Sequence, residues 1–61
     1  MNKVVEILCR RDGISVEEAE HMVEDVRGQI AEVNFMPEEV EGIIASNLGL
    51  EMDYIFDILM L

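Results

Sequence analysis

Six apolar residues, Val16, Ala19, Val23, Val26, Ile30 and Val33, recur at alternating spacings of three and four along this chain. That spacing puts them on one side of an α-helix, because three or four residues complete a helical turn. A strand cannot use it, since its side chains change face at every residue. The stretch therefore requires a long helix with a heptad seam, and the rest of the chain must cover that seam. The opposite side carries Glu17, Glu20, Glu24, Gln29 and Glu32, as expected of a helix half in water.

The start of this helix is written in the residues before it. In Ser15-Val16-Glu17-Glu18 the Ser15 hydroxyl is placed to accept from the backbone near Glu18, and Glu18 to reach back. Ile14, just ahead of the cap, is placed to fold onto Ala19. Helix 2 is predicted over Val16 to Asn34. Helix 1 is predicted over Asn2 to Asp12, with Asn2 as cap and Val4, Ile7 and Leu8 as its apolar stripe. Arg10 and Arg11 suit its negative C-terminal end, and Gly13 supplies the left-handed residue that stops it.

Pro37 opens helix 3, because its missing N–H is not needed in a first turn. Glu38 and Glu39 follow at the positive end of the dipole; Val40, Ile43, Ile44 and Leu48 form the buried stripe, and Gly49 ends it. Helix 4 is predicted over Glu51 to Met60. The fold class is all-α, a small antiparallel bundle of three to four helices forming a single domain over residues 1–61. One echo runs through it: residues 14–23 align with residues 35–44. Either both obey the same rules for starting a helix, or a helical hairpin has been duplicated.

Sixty-one residues, with 14 Asp and Glu against 4 Lys and Arg, limit the functions open to the chain. So short a domain buries only about 60% of its unfolded surface, and small domains commonly add a disulfide, a metal or a second subunit. Cys9 is the only cysteine and His21 the only histidine, which leaves neither a disulfide nor a closed zinc site. A homo-oligomer is the expectation that remains. A net charge of −10 repels nucleic-acid phosphates and anionic lipid and attracts basic proteins, so direct nucleic-acid or membrane binding is not expected. Met-Asn-Lys-Val-Val-Glu has no secretion-leader pattern, and the C-terminal apolar run is shorter than the roughly 20 residues of a membrane span. With a lone cysteine, these features imply a reducing, cytoplasmic setting.

Helix 4 is the element most suggestive of function. Its apolar residues surround only Glu51, Asp53 and Asp57, and a helix apolar nearly all round is covered on more than one side. Met52, Phe56 and Leu59 are expected on one stripe, with Ile55 and Ile58 on the next. One stripe would dock within the chain and the other would face a partner or a second copy, giving Met52, Ile55, Phe56, Ile58 and Leu59 as candidate interface residues. The seam of helix 2 is expected to share in that pairing.

A second candidate is the acidic face: Glu17, Glu20, Glu24 and Asp25 on helix 2, with Glu38 and Glu41 on helix 3. Rows of carboxylates could imitate DNA phosphates and occupy the basic channel of a nucleic-acid-binding enzyme; the plainer reading is a solvated face that keeps the chain soluble. Glu17, His21 and Asp25, one turn apart, lack the further ligand a metal site needs. Cys9 reads as a small packed residue. With no nucleophile and base placed together and no glycine-rich phosphate loop, neither an enzyme nor a cofactor is expected.

The run from Arg11 to Glu20, RDGISVEEAE, and the run from Asn47 to Leu59, NLGLEMDYIFDIL, resemble a group of short acidic proteins encoded by bacteriophages and bacterial mobile elements. The resemblance implies a phage setting, in which small acidic proteins often inhibit host defence or host nucleic-acid enzymes. It implies no particular functional residues. The function expected is a helical protein-binding module, inhibitory in that setting, with a DNA mimic or a structural assembly module as alternatives.

Overall fold

A computed structural model describes residues 1–60. It is a small all-α bundle: α1 (Lys3–Asp12), α2 (Val16–Glu32), α3 (Pro37–Leu48), a 3-10 turn (Met52–Tyr54) and α4 (Ile55–Leu59).

The helix ends follow from individual residues. Asn2 caps α1, its side-chain oxygen accepting from the N–H groups of Val4 at 2.9 Å and Val5 at 3.3 Å. Gly13, at φ 66°, turns its N–H onto the Cys9 carbonyl at 3.0 Å. The Ser15 hydroxyl accepts from Glu18 N–H at 3.1 Å and starts α2. Gly49, again at φ 66°, closes α3 with a bond to the Ala45 carbonyl. There the left-handed backbone favours glycine, and a Cβ would also press on Arg11 Nη1 at 3.2 Å, so that the flexible guanidinium would have to yield.

α2 stops at Glu32, short of the expected Asn34. Asn34 and Phe35 both adopt left-handed backbone, at φ 54° and 57°. Phe35 N–H then bonds the Ile30 carbonyl at 3.1 Å, and Asn34 N–H bonds that of Ala31 at 3.0 Å. This turn satisfies the carbonyls at the end of the helix and delivers the chain to Pro37.

The core is apolar throughout the described residues. Val4, Val5 and Leu8 come from α1, Ala19, Val23, Val26 and Ile30 from α2, Val40, Ile44 and Leu48 from α3, and Ile58 from α4; all are at most 1% exposed. On α1, Val5 rather than Ile7 joins the fully buried set; Ile7 is half-buried at its edge. The middle four residues of the α2 seam are consumed inside the chain, while Val16 is 41% exposed and Val33 half-buried. The expectation that this seam pairs two copies therefore fails, because α1, α3 and α4 already cover it.

The expected helix from Glu51 to Met60 is also corrected. Glu51 is extended, Met52–Tyr54 form the 3-10 turn, and only five residues are α-helical. Neither piece has a side-chain cap, and a five-residue helix cannot sustain itself without packing. Ile58 in the core holds it, together with Asn2 Nδ2, which donates to the Asp57 carbonyl at 2.7 Å.

These contacts define two ends of the bundle. Arg11 against Gly49 brings together the C-terminal ends of α1 and α3. The start of α1 meets α4, where Asn2 lies beside Asp57. The accessible surface is 4038 Å², and a compact monomer of this mass is expected to expose about 4,000 Å². The fold closes as tightly as a free-standing domain does.

Candidate functional site

The five candidate interface residues divide sharply. Ile58 is fully buried in the core and presents no surface. Met52, Ile55 and Leu59 are half-buried against that core. Phe56 is 73% exposed, and the next large apolar residue, Met60, is 81% exposed. The predicted stripe of Met52, Phe56 and Leu59 is split: Met52 lies in the 3-10 turn, where the α-helical angle does not hold, and within α4 Phe56 is exposed while Leu59 is half-buried.

Two further exposed apolar residues were not singled out from the sequence. Phe35, 54% exposed, and Met36, 58% exposed, sit in the turn between α2 and α3. The left-handed backbone of Phe35 has no sequence signature beyond the neighbouring Asn34 and Pro37.

The acidic candidates Glu17, Glu20, Glu24, Asp25, Glu38 and Glu41 are all exposed. The cations are unevenly placed. Lys3, Arg10 and Arg11 are on α1 and Arg27 is on α2, while residues 28–61 contain Glu32, Glu38, Glu39, Glu41, Glu51, Asp53 and Asp57 with no Lys, Arg or His. Arg10 pairs with Glu6 at 3.2 Å. Arg11 grips Asp12 with two bonds, of 2.8 and 3.0 Å. Those bonds hold the Asp12 carboxyl below its ordinary pKa and raise that of Arg11. Both partners are accessible to water, so the pair adds little stability.

A cleft of about 520 Å³ runs between α3 and the segment that returns from Gly49. Glu38 and Glu41 stand on one wall and Glu51 and Asp53 on the other. Gly42, Ala45, Leu50 and Met52 form the small and apolar surface between them. The spacing of 38, 41, 42 and 45 shows in the sequence that one face of α3 is shared, but the return of residues 50–53 along that face does not.

His21 is exposed and Cys9 half-buried against the core. Among the described residues no three His, Cys, Asp or Glu side chains are placed to hold a metal ion, and no polar or charged side chain is buried. No helix among them is long and apolar enough to cross a membrane. No protein-family model, curated protein or solved structure matches this chain.

Proposed function

We propose that the chain is a small acidic protein-binding module whose contact surface centres on Phe56 and Met60 of α4. The observation that carries this reading is the 73% exposure of Phe56 on a domain whose core is already closed. Burying a side chain of that size is worth about 1.5–3 kcal/mol, which a partner surface would recover. Phe35 and Met36 add further exposed apolar surface in the turn between α2 and α3. A second copy is the first partner to test, since most small assemblies are twofold and self-complementary. In a cytoplasmic, phage-related setting such binding would inhibit a host protein.

Light scattering at micromolar protein is expected to report twice the 7.0 kDa chain mass. Phe56→Glu is expected to give a folded monomer, because the residue is exposed in the protomer. A wild-type monomer at every concentration would remove self-pairing and leave the surface to a different protein.

A second reading is favoured by the exposed carboxylates on α2 and α3 and by the absence of any cation after Arg27. In that reading the rows imitate DNA phosphates and block a basic channel. Salt separates the two: a mimic loses affinity steeply as ionic strength rises, whereas apolar docking does not.

A further inference from the structure

Gly42 lies in the interior of α3, where glycine is a poorer choice than alanine because it leaves the unfolded chain more freedom. Its own fold does not explain it. A Cβ at position 42 would meet nothing within 4 Å, and its φ is not left-handed. Gly28 in α2 has the same open surroundings, but Gly42 faces the cleft between α3 and residues 50–53. A missing side chain there lets a ligand approach the α3 backbone closely. Leu50 and Met52 offer apolar contact beside it, and the four carboxylates on the walls repel one another unless cations intervene. Residues 28–61 provide no Lys or Arg, and Arg11, which lies against Gly49 next to Leu50, is already bonded to Asp12.

We propose that this cleft is a docking groove for a basic amphipathic helix of another protein, one turn of which seats an apolar side chain over Gly42. Lysines and arginines flanking that side chain pair with Glu38 and Glu41 on one wall and with Glu51 and Asp53 on the other. The cleft lies within the roughly 300–1,000 Å³ of small-ligand sites, so it takes one turn and not the whole helix. Apolar anchors at helical spacing laid into a groove are a recurring mode of peptide recognition, and the charge complementarity selects a basic helix.

This inference rests on the protein-binding reading but uses a surface separate from Phe56, so the two fail independently. The probe is a labelled synthetic helix of roughly fourteen residues, with Leu at helical spacing and Lys elsewhere, titrated by fluorescence anisotropy. A scrambled peptide of the same composition is the control. Gly42→Ala and Gly28→Ala are each expected to raise the melting temperature by about 4–8 °C, from the helix preference for alanine. Only Gly42→Ala should weaken the helix, by about tenfold or more, because one methyl displaces the seated side chain. Glu38→Gln with Glu41→Gln should weaken it far more than Glu17→Gln with Glu20→Gln, which changes the net charge equally. The groove is overturned if the scrambled peptide binds as well, if both glycine variants bind alike, or if both carboxylate pairs act alike, since each would leave only long-range attraction. A chain dimer abolished by Gly42→Ala would also overturn it, by placing a second copy in the groove.

Discussion

α2 and the segment from Leu50 to Met60 are both rich in apolar residues, yet they make opposite use of them. In α2 the apolar residues keep one period for five turns, and a serine cap fixes where that period starts. Four of them are wholly buried and the charged residues all lie outside. In the C-terminal segment apolar residues crowd every side, no side chain caps either helical piece, and Ile58 alone is fully buried. Periodicity, more than hydrophobic content, commits a helix to its core. The segment without it folds into short pieces held by neighbours, and it leaves Phe56 and Met60 available to other surfaces.

Truncating one fully buried isoleucine in each region should expose this difference, and this is the largest effect expected. Ile30→Ala and Ile58→Ala each remove a side chain of 0% exposure, within a usual range of about 2–5 kcal/mol. Ile30 is buried on α2, the helix that packs against α1, α3 and α4, so its loss should lower the stability of the whole bundle. Ile58 anchors a five-residue helix, so its loss should fall near the lower end and free residues 52–60 alone. Hydrogen exchange followed residue by residue checks this. Equal loss of protection across α1, α2 and α3 in Ile58→Ala would show that α4 is as integral to the core as α2.

The same contrast decides what was legible in the sequence. α1, α2 and α3 could be placed from Asn2, Ser15, Pro37, Gly13 and Gly49, because caps and left-handed glycines act locally and leave local signatures. Spacing alone gave the buried middle of α2 and Val40, Ile44 and Leu48 of α3, but not that Ile43 and Val33 are only half-buried and Val16 is exposed. The end of α2 was misplaced because a left-handed Phe35 contradicts the residue's own preference. The Glu51–Met60 helix was overextended because its shape depends on tertiary contacts, such as that of Asn2 with Asp57, which no local pattern encodes. For the interface candidates, composition singled out a segment but could not tell the buried Ile58 from the exposed Phe56. The cleft was missed for the same reason: its second wall exists only once residues 50–53 have turned back along α3.

The caps offer a smaller and more selective comparison. Ser15→Ala removes one capping bond and should cost about 1 kcal/mol. Asn2→Ala removes the α1 cap and also the donor to the Asp57 carbonyl, so its cost should approach about 2 kcal/mol. Chemical denaturation of the two variants gives the difference directly. Equal costs would mean that the bond to α4 contributes nothing, and that Ile58 alone holds the segment.

The smallest expected change is at Phe35, where two terms of similar size oppose each other. A left-handed backbone costs a residue with a Cβ roughly 1–2 kcal/mol, and asparagine tolerates it far better than phenylalanine. Phe35→Asn therefore relieves strain at φ 57°. It also gives up the apolar contact of a side chain that is 54% exposed, about half of the 1.5–3 kcal/mol that full burial would bring. The sum should lie within about 0.5 kcal/mol of the wild type, as surface substitutions usually do. A loss of 2 kcal/mol or more in a chemical melt would mean that the Phe35 ring is a strut of the α2–α3 turn. A near-zero change would mean that the fold gains nothing from an aromatic residue held at this position against its backbone preference. Phe35 would then be free to serve, with Met36, as contact surface.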